Sequence, residues 1–190
     1  MSPAFSIQRL QLDQVDQVLA LLEANLKSNL EKDVASAEGF LTFQYDKDTI
    51  LNMIKEMPQP VAISEDRIVG YALATSKTVC LSNPLLNSAI DVSDQLIFKG
   101  KPLREQPYYV MGQICIGEGF RGIGIFSQLY EEHKILFSNA FSCVVTEISD
   151  QNYRSLKAHI KQGFQVLHNY SDGETNWLIV AWDWQKPEKI

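Results

Sequence analysis

The stretch Ile114-Cys-Ile-Gly-Glu-Gly-Phe-Arg-Gly-Ile-Gly-Ile-Phe126 runs from β-prone residues through four glycines within eight residues and directly into a helix pattern. Glycine lets backbone N–H groups approach a bound group without an intervening Cβ. A helix that begins at such a turn attracts anions through its unpaired donors and its dipole. Because Arg121 adds a fixed positive charge, the turn is predicted to bind phosphate, although its glycines could also serve only the geometry of a strand-to-helix connection.

Two other phosphate-binding motifs fit this turn less well. A P-loop is excluded because no Gly-Lys-Ser or Gly-Lys-Thr follows the glycines. A dinucleotide fingerprint is closer, since residues 122–127 hold two of its three glycines and Glu147 stands near where a ribose-binding acid would lie. Ser127 replaces the third glycine, and several residues separate the strand from the glycines. A nicotinamide-dependent oxidoreductase therefore stays as an alternative.

Hydrophobic periodicity predicts alternating strands and helices on both sides of the turn. We expect strands at 5–10, 61–64, 68–74, 108–116, 142–148, 164–170 and 177–182, and helices at 15–26, 46–57, 122–138 and 152–162. Two helices thus precede the main sheet, with an irregular polar segment at 25–42 between them. The β-α-β-α-β series from 108 to 170 implies locally parallel strands joined by right-handed crossovers. The whole of 1–190 is predicted to be one domain, with a long excursion at about 77–107.

Charge and composition exclude several classes of protein. The 190 residues carry 17 Lys and Arg against 23 Asp and Glu, a net charge of −6, which leaves no excess cations for a nucleic-acid backbone. The longest apolar run, Trp177–Trp182, is too short to span a membrane, and no signal-peptide pattern opens the sequence. A cytoplasmic protein without nucleic-acid or membrane partners is expected. Cys80, Cys115 and Cys143 stand among apolar neighbours, which favours reduced core thiols over a disulfide or a metal site.

Two motifs resemble the GNAT N-acetyltransferase superfamily. Arg121-Gly-Ile-Gly124 is similar to the acyl-CoA pyrophosphate loop of that family, although Phe126 stands where the family has Gly or Ala. Residues 152–164 resemble the family's series of Asn, small residue, Tyr and Gly-Phe, with His159 in the place of the Tyr. The order of elements also fits, except at 77–107. The resemblance implies an α/β (α+β) fold: a mixed, mostly antiparallel central sheet with splayed middle strands, flanked by helices.

The resemblance also implies a function, the direct transfer of an acetyl or other acyl group from acetyl-CoA to an amine of a small molecule or a protein, without a metal. Residues 114–116 would pair with the pantetheine arm, 121–126 would hold the pyrophosphate, and two residues of the next helix would face the cofactor. The implied cofactor-binding residues are Ile114, Cys115, Ile116, Arg121, Gly122, Ile123, Gly124, Ile125, Phe126, Asn152 and Ser155. The departures at Phe126 and His159 leave a non-catalytic acyl-CoA-binding module as the alternative.

Two residues are candidates for the proton transfers of such a reaction. His159 shares a helical face with Asn152 and Ser155, and an imidazole can protonate a departing thiolate near neutral pH. It could equally form only a structural hydrogen bond. Glu147 is the first candidate for the general base, against a solvated charge at a strand end or an amine that arrives unprotonated. Cys115 as an acyl-carrying nucleophile is less favoured than Cys115 as packing, because no base is recognisable near it.

Acceptor specificity is expected to come from residues 31–45 and from the 77–107 excursion, which lie outside the cofactor motifs. The aromatic side chains that could line an acceptor pocket, or could equally be core, are Phe40, Phe43, Tyr45 and Tyr71. The acidic net charge favours a cationic amine over an anionic one. Exposed edges of the terminal strands could support a homodimer.

Overall fold

The computed structural model describes residues 3–82 and 84–184, and a seven-stranded sheet forms its centre. The strands of this sheet are β1 (Ser6–Arg9), β2 (Pro60–Ser64), β3 (Arg67–Thr75), β6 (Tyr108–Ile116), β7 (Cys143–Ser149), β8 (Gln165–Ser171) and β9 (Asn176–Asp183), and a separate ribbon pairs β4 (Ile97–Phe98) with β5 (Lys101–Pro102). The order across the sheet is β1-β2-β3-β6-β7-β9-β8. The predicted α/β fold with a mostly antiparallel sheet is therefore confirmed.

The expectation of locally parallel strands is confirmed for β6 and β7 but not for β8. Among the strands that the structure describes, only β6 and β7 pair in parallel, while β9 pairs antiparallel with both β7 and β8. β8 runs in the same direction as β7 but lies one strand away from it. The reason is the tight turn after Ser171, which folds β9 back beside β8, and the buried side chains of Ile179, Val180 and Ala181, which favour an interior place for β9.

Seven α-helices are described in these residues. They are α1 (Val15–Ala24), α2 (Lys32–Glu38), α3 (Lys47–Glu56), α4 (Lys77–Ser82), α5 (Pro84–Gln95), α6 (Ile125–Phe137) and α7 (Tyr153–Gln162). Helix α2 falls in the segment predicted to be irregular, so three helices precede β2 rather than two. Helix α6 begins three residues later than predicted, because Gly122 and Gly124 have φ values of 78° and 96°, which a right-handed helix does not allow. No helix in 3–82 or 84–184 has the length and apolar content to cross a membrane.

The helices cover both faces of the sheet. On one face, α1 and α3 bury Leu22 and Met53 against Leu73 of β3. On the other face, α6 and α7 lie over Tyr109 and Val144, with Leu129 of α6 fully buried. Burial of each such side chain stabilises the fold by roughly 1.5–3 kcal/mol. The helices on the two faces thus enclose the sheet, and the turn from β6 into α6 lies at one end of it.

The middle strands of the sheet separate as the prediction of splayed strands required. β6 and β7 pair only from Tyr108↔Cys143 to Val110↔Val145, after which Thr146 Oγ1 still donates to the Met111 carbonyl at 2.8 Å. Opposite β3, the register of β6 shifts at Gly112, which is a bulge. Bulges bend a strand and redirect its side chains. The result is a gap between the second halves of β6 and β7.

Candidate functional site

The turn between β6 and α6 presents backbone donors to solvent. Gly124 is the N-cap of α6, and the first helical bond runs from Gln128 N to the Gly124 carbonyl at 3.1 Å. The N–H groups of the preceding residues have no partner within the helix. A Cβ at Gly122 would meet nothing within 4 Å, so the backbone conformation and not crowding requires glycine there. This geometry suits an anion at the helix N-terminus.

A cavity of about 370 Å³ lies against this turn, between β6 and α7. Its walls include the predicted cofactor residues Ile114, Cys115, Ile116, Arg121, Gly122, Gly124, Phe126, Asn152 and Ser155. Ile125 instead is buried in the core, and Ile123 packs against the same core cluster. The structure thus brings together residues from two motifs that are separate in sequence.

The side chain of Phe126 lies along the wall of this first cavity. Its ring packs edge-on against Tyr130 and against His159, with centroids 5.0 Å apart in both cases. The departure from the small residue of the family pattern is therefore accommodated by aromatic packing between α6 and α7.

Arg121 is held by partners that the sequence did not indicate. Its Nε donates to the Ile116 carbonyl at 3.0 Å, one terminal nitrogen donates to Asn25 Oδ1 at 2.7 Å, and the other to Glu38 Oε2 at 2.8 Å. Glu38 also accepts from Arg154 Nη1 at 2.6 Å. The hydrogen bond from Arg121 is the main cause of the lowered pKa of Glu38. No local pattern marks Glu38, because its role depends on contacts distant in sequence.

A segment of four residues, 38–41, crosses beside the cavity and is held by Asn152. The Asn152 side chain accepts from Ser155 N at 3.3 Å as the N-cap of α7, and its amide donates to the Phe40 carbonyl at 2.8 Å. Gly39 has a φ of 77°, and a Cβ there would lie 3.0 Å from Asn152 Oδ1. The predicted cofactor residue Asn152 therefore also positions this crossing segment.

A second cavity of about 720 Å³ lies on the other side of the crossing segment, and Leu41 lines both cavities. The gap between the strands opens into it through Gly112, Thr146 and Glu147. The exposed turn from Asp172 to Thr175 forms part of its rim. The two cavities adjoin where β6 and β7 diverge.

The four aromatic residues expected around an acceptor lie in three different surroundings: the first cavity, the second cavity and the core. Phe43 and Tyr45 line the second cavity, whereas Phe40 lines the first. Tyr71 lines neither cavity, and its buried hydroxyl donates to Gln113 Oε1 at 2.6 Å. Tyr71 therefore belongs to the core, as the alternative interpretation had it.

Glu147 stands on β7 just beyond the last residue pair with β6 and lines the second cavity. Its Oε1 accepts from the Tyr170 hydroxyl at 2.6 Å. Burial raises the pKa of Glu147, and the hydrogen bond from Tyr170 opposes this effect only in part. A carboxylate with a raised pKa is a better proton acceptor than one in water.

His159 lines neither cavity, although its ring packs against Phe126 behind the wall of the first. Its ring is buried, with Nδ1 2.8 Å from the Ser155 carbonyl and Nε2 2.7 Å from the Tyr130 hydroxyl. Burial lowers the pKa of His159 to about 4, so the ring is neutral at pH 7. Of the helical face predicted from its spacing, Asn152 and Ser155 line the first cavity, whereas His159 turns toward Tyr130 of α6. This geometry does not favour a proton transfer from His159 to a thiolate.

The cysteines of this chain are buried and free. Burial raises the pKa of Cys115 to about 12, so its side chain is a thiol and not a nucleophilic thiolate at neutral pH. Within 3–82 and 84–184, no group of three or more His, Cys, Asp or Glu side chains is arranged to hold a metal ion.

Comparison with known proteins shows similarity in structure but not in sequence. No protein-family model matches the chain, and no curated protein matches it. An acetyltransferase of the GNAT family from Streptococcus pneumoniae superposes with a TM-score of 0.62 at 14% identity, covering 95% of this chain and 99% of that one. Ard1 from Thermoplasma volcanium gives 0.66 at 15% identity, covering 96% and 99%.

A third similar structure, yncA from Salmonella typhimurium with its cofactor acetyl-CoA, gives a TM-score of 0.60 at 15% identity, covering 98% of this chain and 97% of that one. The likeness extends over nearly the whole of each chain, so it concerns the complete arrangement of the sheet and its helices. At these identities the likeness shows the fold alone. This chain has the fold of the GNAT N-acetyltransferases.

Proposed function

We propose that the protein is an N-acyltransferase that moves an acetyl group from acetyl-CoA directly to an amine. The observation that carries the proposal is the pair of cavities that adjoin at Leu41, one against the phosphate-binding turn and the other containing Glu147. The gap between β6 and β7 would connect the cavity that holds the acyl donor with the cavity that holds the acceptor amine. The fold shared with GNAT acetyltransferases supports the same activity.

The first cavity fits the phosphates and the pantetheine arm of acetyl-CoA. Its donors are the N–H groups at the start of α6, and its cations are Arg121, Arg154 and Lys161, against the single carboxylate of Glu38. Cations and helix N-termini are the usual partners of phosphate. Beyond its pairing with β7, β6 offers residues 114–116 as an edge to an extended ligand. When bound there, acetyl-CoA would supply a thioester that an amine attacks.

Glu147 would take the proton of the attacking ammonium, directly or through water. Its burial and its place on the wall of the second cavity support this role. Tyr170 would keep the carboxylate in place through its 2.6 Å hydrogen bond. We do not assign a proton transfer to His159, because both of its ring nitrogens have hydrogen-bond partners within the core.

The second cavity favours a cationic amine as acceptor. Asp172 and Glu174 lie exposed at its rim, Glu147 lies inside it, and Phe43 and Trp177 supply aromatic surface. Carboxylates at a cavity mouth attract ammonium groups, and aromatic faces bind them. The net charge of −6 also attracts a cationic acceptor. An aliphatic diamine or a basic peptide N-terminus has this chemistry.

The test is the release of free thiol from acetyl-CoA in the presence of a set of amines, together with calorimetry of acetyl-CoA binding. We expect binding, and faster thiol release with an aliphatic diamine or a lysine-rich peptide than with glutamate. Binding of acetyl-CoA without thiol release for any amine would favour the non-catalytic acyl-CoA-binding module. Binding of NADH without binding of CoA would favour the oxidoreductase.

A further inference from the structure

The hydroxyl of Tyr45 is buried without a hydrogen-bond partner. Tyr45 stands just before α3 with 2% of its surface exposed, and its ring packs edge-on against Phe43 with centroids 4.7 Å apart. Its oxygen has no partner among the residues that the structure describes. Buried hydroxyls are nearly always paired, because an unpaired one loses its bonds to water without compensation. Tyr71 is also buried, but its hydroxyl donates to Gln113.

This unpaired hydroxyl lies at the point where the middle strands separate. A Cβ on Gly112, the bulge residue of β6, would lie 2.7 Å from the Tyr45 oxygen, so glycine is needed to leave room for the phenol. Pairing between β6 and β7 ends at Val110↔Val145, two residues before this glycine. Tyr45, Gly112 and Glu147 line the same cavity. A hydrogen-bond donor and a carboxylate thus line one cavity beside the gap.

We propose that Tyr45 is a catalytic residue of the acyl transfer and donates its hydrogen bond to the carbonyl oxygen of the donor thioester. This inference rests on the proposed function. The acceptor nitrogen forms a bond to the carbonyl carbon while the π electrons of the carbonyl move onto the oxygen beside Tyr45. When those electrons return, the C–S bond breaks and CoA leaves as the thiolate. Glu147 takes one proton from the ammonium before the attack, and the second proton of the nitrogen passes to the departing thiolate. The products are the amide, CoA as the thiol, and one proton that Glu147 releases to solvent.

Tyr45 keeps its own proton throughout this step. Burial raises the pKa of Tyr45, so the phenol remains a donor over the whole working range of pH. A donor that is already oriented toward the oxygen where negative charge develops lowers the barrier more than it strengthens substrate binding. The effect of Tyr45 should therefore appear in kcat and not in the affinity for acetyl-CoA.

The primary test is Tyr45→Phe, which removes only the hydroxyl. We expect kcat to fall by roughly 10²- to 10³-fold, the usual loss for one oxyanion donor. The Kd of acetyl-CoA should change little, and the variant should be at least as stable as the parent because an unpaired buried group is lost. Tyr108→Phe is the matched control: Tyr108 is a buried tyrosine of β6 that lines neither cavity and donates to Asp94 at 2.8 Å. It should keep the parent's kcat.

A second variant moves the phenol instead of removing its hydroxyl. Gly112→Ala places a Cβ within 2.7 Å of the Tyr45 oxygen, so the ring must shift. We expect Gly112→Ala to lower kcat, and the double variant with Tyr45→Phe to lose no more than Tyr45→Phe alone. The proposal would be overturned if the two substitutions lowered kcat independently, so that the loss in the double variant equalled the product of the two single losses. It would also be overturned if Tyr45→Phe kept the parent's kcat.

An infrared comparison tests the hydrogen bond from Tyr45 to the thioester carbonyl without any turnover. The carbonyl stretch of bound ¹³C-labelled acetyl-CoA should lie at lower frequency in the parent than in Tyr45→Phe, because a donated hydrogen bond weakens the C=O bond. Equal frequencies would overturn the role of Tyr45 and would indicate that its hydroxyl binds water. If the parent binds acetyl-CoA but acetylates no amine, the proposed function fails, and a frequency difference would still show the contact between Tyr45 and the carbonyl.

Discussion

Glu38 Oε2 lies 2.8 Å from Nη1 of Arg121 and 2.6 Å from Nη1 of Arg154. One carboxylate of α2 thus joins the turn between β6 and α6 to the start of α7, beside the first cavity. Oε2 of Glu38 thus accepts from both arginines, which under the proposed function would also face the phosphates of CoA. The charge of this cavity is therefore set by a residue far from both motifs that line it.

Glu38→Gln should tighten the binding of CoA by roughly two- to five-fold, because partly exposed ion pairs are weak and the two arginines become available to phosphate. Calorimetry at low and high salt would measure this, with the gain largest at low salt. Glu31→Gln, an exposed change at the N-cap of the same helix, is the control. Weaker binding by Glu38→Gln would mean that Glu38 orients the arginines for the phosphate.

Gly124→Ala should weaken the binding of CoA. A φ of 96° is unfavourable for any residue with a Cβ, at a cost of about 1 kcal/mol, so the start of α6 should rearrange and its donors should move. Gly100→Ala carries a similar backbone cost at a φ of 79° in the turn between β4 and β5. Both variants should lose similar stability in urea unfolding, but only Gly124→Ala should change the Kd of CoA. An equal change in Kd would contradict the role of the turn.

Glu147→Gln should lower kcat/KM by roughly 10²- to 10⁴-fold and remove the acid limb of the pH–rate profile. Only the carboxylate can accept a proton, so the rate of the parent should rise as the pH passes through the raised pKa of Glu147. Tyr170→Phe removes the hydrogen bond that favours the carboxylate, so its acid limb should shift to higher pH. Profiles that superimpose for parent and Glu147→Gln would discard Glu147 as the base.

His159→Gln should change stability at acid pH more than it changes turnover. The pKa of His159 is near 4 in the folded protein and near 6.5 when unfolded, so the neutral ring stabilises the fold above pH 6.5. This stability, at most about 3 kcal/mol, is lost as the pH falls from about 6.5 to 4. Urea unfolding at pH 7 and 4.5 should show a smaller acid loss for the variant.

His168→Gln, a change at an exposed histidine of β8, is the control for this measurement and should behave as the parent. The kinetics of the His159 variant are equally informative. A fall in turnover of roughly 10²-fold at unchanged CoA affinity would restore His159 as the acid that protonates the thiolate.

Local pattern was enough to predict most elements and the glycine turn before α6. The period-two alternation of 108–116 and the glycines before α6 depend on neighbouring residues only, so they can be read from the sequence directly. The tertiary structure agrees with the bounds of β6. Helix α2 was missed, because it is short and has no regular apolar stripe.

The sequence by itself therefore determined an α/β chain with a strand, a glycine turn and a helix N-terminus suited to an anion. Only the tertiary structure decided what surrounds that turn: Glu38 on Arg121, the ring of His159 turned into the core, and the hydroxyl of Tyr45 at the gap. These contacts join residues far apart in the chain. They depend on strand order and on the bulge at Gly112, because alternation of apolar residues does not specify which strands become neighbours.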